Sequence, residues 1–70
     1  MQNNTKYGKV TKYDGFTGEI VTQDNLYYFT KNDIIENNEI TINDMVMFNG
    51  KSEDIFPQAY NIKKINVEEK

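Results

Sequence analysis

Along most of this chain apolar and polar residues alternate in short runs, with turn-forming residues between them. A period of two sends successive side chains to opposite faces of a pleated strand. Five stretches have this pattern and the β-branched or aromatic content that suits a half-buried sheet: Tyr7–Tyr13, Gly18–Thr22, Leu26–Thr30, Met45–Asn49 and Ala59–Val67. Asp14-Gly15 reads as a turn, Gln23-Asp24-Asn25 as a hairpin loop, and Asn43-Asp44 as a second turn in which asparagine suits the left-handed backbone region. Lys31–Ile35 reads as one helical turn with Asn32 or Asp33 as N-cap. Glu36–Glu39 is loop-like, Ile40-Thr41-Ile42 reads as a short extended piece, and residues 50–58 form a polar loop interrupted by Ile55 and Phe56.

The same alternation names a core. Val10, Ile20, Tyr27, Phe29, Val46, Phe48 and Ile62 are expected to point inward. In the last stretch Tyr60, Ile62 and Ile65 stand against Asn61, Lys63 and Lys64. Five short strands in a 70-residue chain predict one small all-β domain, a barrel or sandwich, because closure removes exposed edges. The domain is expected over residues 7–67, with residues 1–6 and 68–70 as flexible ends. Lys63-Lys64 reads as a charged edge that discourages further pairing.

Composition narrows the chemistry. The chain has no cysteine and no histidine, which removes disulfides, thiolate metal sites and the commonest general base. Its lone serine, Ser52, has no histidine to activate it, and there is no glycine-rich phosphate loop. Glu53-Asp54 falls far short of a calcium ligand set. No enzyme activity, cofactor or metal is expected. The formal net charge is −3, unlike a dedicated duplex-DNA binder, and all eight basic residues are lysine. Bidentate arginine readout of guanine is therefore excluded. No apolar run approaches a membrane span, and the opening MQNNTKYG lacks the apolar stretch of a signal peptide. A monomer in the cytoplasm, without a membrane partner, is expected.

Four stretches together resemble the bacterial cold-shock domain family. Gly8–Asp14 is similar to the family's G-x-V-K-W-F-N opening. Pro57–Ile65 is similar to P-Q-A-A-N-V-x-x-L. Ile40–Phe48 follows L-x-x-G-x-x-V-x-F with Asn43 in place of glycine, and Tyr28–Ile34 lies where the family has F-V-H-F-S-x-I. The matches run in order over roughly residues 7–66. The resemblance implies a five-stranded antiparallel OB-type barrel with one short helical turn after the third strand. In such a barrel Pro57 would stiffen the end of the loop before the last strand, on its edge side.

The resemblance also implies binding of single-stranded RNA or DNA on one sheet face, where aromatic residues stack on bases. Here that face is altered. The family's K-G-F-G-F-I reads Thr17–Thr22, with Glu19 and Val21 at the aromatic positions. Thr30 and Lys31 replace a histidine and a phenylalanine, and Lys12 replaces the tryptophan. Tyr28, Tyr13 and Phe16 remain as candidate stackers, with Lys12 and Lys31 as candidate phosphate contacts. Tyr28 is equally readable as a half-exposed surface tyrosine, and Phe16 as a cap on the barrel's open end. The expected function is weak single-strand binding through Lys12, Tyr13, Phe16, Tyr28, Thr30 and Lys31. The alternative is a protein–protein interaction module that keeps the barrel and has lost the nucleic-acid face.

Overall fold

A computed structural model describes residues 5–23, 25–35, 39–50 and 57–65. Five strands form one antiparallel sheet: β1 (Thr5–Tyr13), β2 (Thr17–Val21), β3 (Leu26–Thr30), β4 (Met45–Asn49) and β5 (Tyr60–Lys64). Their order in space is β3-β2-β1-β4-β5, and the sheet curls into a half-barrel. The one helix among the described residues is a single 3₁₀ turn, Lys31–Asp33, directly after β3.

The curl originates in β1. Its first half pairs with β4, from Thr5↔Asn49 to Lys9↔Met45. Its second half pairs with β2, from Lys9↔Val21 to Tyr13↔Gly18. The register shifts between Val10 and Lys12, so one extra residue, Thr11, sits in β1. Such a bulge bends the strand and increases its twist. At the bend the Val10 N–H donates to the Asp44 carbonyl at 2.9 Å, and the Val10 carbonyl accepts from Asn43 at 2.7 Å. The turn before β4 thus takes the backbone groups that β1 exposes as it changes partners. Asn43 has φ of 80°, the left-handed conformation expected there. Across the bend, a Cβ on Gly18 would overlap the Lys12 carbonyl and the Phe29 ring, so only glycine permits this approach of β1 to β2.

The β3 edge is covered by the segment leading into β5. The Tyr28 N–H donates to the Pro57 carbonyl at 3.0 Å, and the Ala59 N–H donates to the Tyr28 carbonyl at 2.8 Å. Pro57 therefore lies at a joint rather than beside a free edge. The ladder uses its carbonyl and the N–H of Ala59, so the missing proline N–H is never required. A further bond, from the Ile35 N–H to the Ile62 carbonyl at 2.9 Å, holds the segment after the 3₁₀ turn against β5.

All seven expected core residues are buried, joined by Ile40 and Ala59. Tyr27 meets Phe48 edge to face, with ring centroids 5.0 Å apart. Several local expectations are corrected. β1 begins at Thr5, because Thr5 and Lys6 pair with Asn49 and Phe48 rather than fraying. β2 ends at Val21, and Thr22 instead closes the hairpin by donating from its N–H to the Asn25 carbonyl at 2.9 Å. Ile40–Ile42 forms no strand: a turn begins at Ile42, so Ile40 is buried while Ile42 is exposed.

The N-cap of the 3₁₀ turn is Thr30. Asp33 lies at the turn's third residue, where its carboxylate accepts from the Thr30 N–H at 2.9 Å and the Thr30 hydroxyl at 3.2 Å. Tyr60 faces outward rather than inward. Asn61 has φ of 55°, and the β4–β5 register shifts between Met47 and Asn49, so one extra β5 residue resets the alternation. Asp24, Glu36–Asn38, Ser52, Glu53-Asp54, Ile55-Phe56 and the tail beyond Ile65 lie outside the described residues, as do residues 1–4.

Candidate nucleic-acid interface

Strand register builds the site. On the outward face Lys12 is paired with Glu19, and Glu19 with Tyr28. Tyr28 in turn bridges to Gln58. These four residues form one row across the sheet. Beside it an open groove of about 780 Å³ is lined by Lys12, Tyr13, Glu19, Tyr28, Thr30 and Ile42, among others. The bulge at Thr11 is what brings Lys12 into line with Glu19. Without the extra residue, strict alternation from Lys9 would turn Lys12 toward the interior.

Four of the six sequence-predicted site residues line this groove: Lys12, Tyr13, Tyr28 and Thr30. Tyr28 is 38% exposed at the groove. Tyr13 is half-buried, tilted against Phe29 with ring centroids 5.3 Å apart, and forms part of the groove wall. Thr30 is committed through both its N–H and its hydroxyl to Asp33. Phe16 and Lys31 do not line the groove. They sit together at one end of the sheet, where the Lys31 N–H donates to the Phe16 carbonyl at 2.8 Å. Phe16, in the turn between β1 and β2, is 71% exposed.

Three contributors come from outside the strands and were not expected: Asp14 of the β1–β2 turn, Ile42 and Gln58. Ile42, 52% exposed, reaches the groove because its turn is bonded to the bend of β1. Gln58 arrives through the joint with β3, where its Nε2 donates to Asp33 Oδ2 at 3.0 Å. The only sequence hint of Ile42 was an isoleucine directly before a turn asparagine.

The groove's electrostatics are mixed. Lys12 stands against two carboxylates, Glu19 and Asp14. The Asp14 carboxylate accepts from the Phe16 and Thr17 N–H groups, each at 2.9 Å. The bonds from Thr17 and then Phe16 hold its carboxyl below the ordinary range, so it is ionised at neutral pH. The groove therefore favours flat, apolar groups over bare phosphate. Among the described residues no cluster of carboxylates suited to a metal is present. No described helix is long and apolar enough to cross a membrane. No protein-family model matches this chain, and no curated protein matches it.

Proposed function

We propose that this protein is a weak single-strand nucleic-acid-binding module with an OB-type barrel of the cold-shock kind. The observation that carries the reading is the cross-strand row in which an exposed tyrosine, Tyr28, shares one face with Lys12 beside a groove walled by Tyr13 and Ile42. Tyr28 supplies a stacking platform, and stacking tolerates any base. Lys12 meets a phosphate at the groove's edge. Glu19 and Asp14 oppose the backbone charge and keep the affinity low. The resemblance to cold-shock domains supports the reading through the stretches that build the bend and bring in Tyr28 and Gln58, whereas Lys12 and Glu19 stand where the family has aromatic residues.

The test is an amide-resolved NMR titration with a short oligo-dT at low and then moderate salt. Lys12, Tyr13, Tyr28 and Ile42 are expected to shift together, with Phe16 and Lys31 moving less. A second reading rests on the same groove: two carboxylates and an exposed isoleucine also suit a basic, apolar peptide. If the groove amides stay still with oligo-dT at low salt, the single-strand reading is lost and that alternative takes its place.

A further inference from the structure

Charge is unevenly divided between sheet and loops. The five strands contain five lysines and one acid, Glu19, a net +4. Everything else contains three lysines and ten acids, a net −7, and the two give the overall −3. The acidic total therefore conceals a basic sheet. Lys9, Lys12 and Lys63 are exposed on its outward face. Lys9 pairs with Val21 on one side and Met45 on the other, and Lys63 pairs with Met47, which pairs with Tyr7. No carboxylate other than Glu19 lies at an outward strand position among the described residues.

This second region is also apolar and concave. Tyr7 and Met45 are exposed there. A smaller cavity of about 290 Å³ opens beside Met47 and Lys63, with Asn49 and Asn61 on its wall. The Asn61 Nδ2 donates to Asn49 Oδ1 at 3.1 Å, which fixes both amides and leaves further donor and acceptor capacity for a base edge. Lys9 and Lys12 pair with Val21 and Glu19, two residues apart on β2, so at about 3.3 Å per residue the two regions adjoin within roughly 10 Å on β1.

We propose that the outward face of β1, β4 and β5, around Tyr7, Lys9, Met47 and Lys63, is a second subsite for the same single-stranded nucleic acid. It takes the backbone phosphates and a terminal base, while other bases occupy the groove. The inference rests on the single-strand reading and supplies what the groove lacks, cations that no carboxylate on a described strand faces. The occupant is a polyanion because the subsite's charged groups are lysines, and a nucleic acid because apolar surface and amides accompany them. A single strand that spans both regions falls within the roughly 4–16 nucleotides that one such barrel covers.

The test compares dT6 and dT12 by fluorescence anisotropy across a salt series, with the wild-type protein and with Lys9→Gln/Lys63→Gln. Both lysines are exposed, and the variant's thermal midpoint is checked against wild type. The wild type is expected to bind dT12 at least fivefold more tightly than dT6. The double variant is expected to lose that gain, to lower the salt slope for dT12 by about 1.4, and to bind dT6 within twofold of wild type. Equal affinity for both lengths, or an unchanged slope in the variant, would overturn the second subsite while leaving the groove reading intact. Absence of dT6 binding together with a Tyr28→Ala variant that behaves as wild type toward dT12 would overturn the groove reading instead. Displacement of dT12 by polyglutamate of equal charge, as effective as by dT12 itself, would mean a general anion surface and overturn the nucleic-acid assignment.

Discussion

Phe29 and Tyr28 are neighbours on β3, yet the sheet sends them to opposite faces. Phe29 is buried against Tyr13 and would touch any side chain placed at Gly18. Tyr28 sits in the groove with its ring partly open to solvent. The inward face of these strands is packed with Val10, Ile20, Tyr27 and Phe29, and its one buried polar side-chain atom without a hydrogen-bond partner among the described residues is the Tyr27 hydroxyl. The outward face carries no such packing, and there lysine, glutamate, valine and tyrosine stand side by side. Packing explains the first set apart from the Tyr27 hydroxyl. The second set needs another explanation, and binding is where to look for it.

The largest expected effect breaks this comparison at its inner side. Phe29→Ala should cost about 3–5 kcal/mol of stability. A domain of this size has on the order of 4–10 kcal/mol in total, so urea unfolding should show either a strongly lowered midpoint or no folded baseline. Tyr28→Ala should behave oppositely. Its unfolding midpoint is expected to correspond to a loss of about 1 kcal/mol or less, while oligo-dT binding weakens by about 1–3 kcal/mol, the value of one stacked base. If Tyr28→Ala were as destabilising as Phe29→Ala, the tyrosine would be a packing residue and the outward face would lose its main claim to function.

A second pair of regions sharpens the point at the level of turns. Thr30–Asp33 and Thr41–Asp44 both read Thr-x-Asn-Asp, and each aspartate accepts from the N–H and hydroxyl of the threonine three residues earlier. Of the two, only Asp44 also meets a cation among the described residues, Lys64 Nζ at 3.6 Å. Its carboxyl is held below the ordinary range, chiefly by the Thr41 N–H bond, then by the Thr41 hydroxyl and Lys64, against a smaller opposing effect of burial. A carboxyl with a lowered folded pKa stabilises the fold above its unfolded value, about 3.9, and that contribution fades as pH falls through the lower folded value. Asp44→Asn should therefore cost about 1 kcal/mol near neutral pH. The difference from wild type should shrink below about pH 4, as followed by thermal unfolding from pH 7 down to pH 2. A constant difference across that range would assign the loss to geometry rather than charge.

Much of the fold was legible because burial and alternation act within single strands. Each strand was placed to within a few residues, and all seven core positions followed from period two alone. What escaped depends on partners far away in sequence. The bulge at Thr11 exists because β1 must serve both β2 and β4, and nothing local to Thr11 encodes that. Asn61 turns left-handed where β5 meets β4, which reverses the expected inward position of Tyr60. The site divides in the same way. Tyr28 was placed by strand pattern and family resemblance and Lys12 by the resemblance alone, against strict alternation, whereas Ile42 and Gln58 enter through loop joints. Phe16 and Lys31 lie close in space, but at the end of the sheet rather than in the groove.

The smallest effect concerns the centre of the outward row. Glu19 lies between Lys12 and Tyr28, and among the described residues the only ion pair is Lys64–Asp44, elsewhere in the molecule. Glu19→Gln keeps the side chain's size and removes its charge. A partly exposed carboxylate a few ångströms from a phosphate repels it by about 1 kcal/mol or less. The variant should therefore bind oligo-dT about two- to fivefold more tightly at low salt. The gain should approach unity as ionic strength rises past about 0.15 M, where the Debye length falls to about 8 Å. Stability should stay within about 0.5 kcal/mol of wild type. Weaker binding would carry a different meaning: the carboxylate would be accepting a hydrogen bond from a base, the thymine N3–H in oligo-dT, and the groove would read bases rather than merely stack them. No change at any salt would separate Glu19 from the bound strand altogether. The ligand would then lie on the lysine-bearing side of the sheet, and the groove's carboxylates would be free to meet a basic peptide.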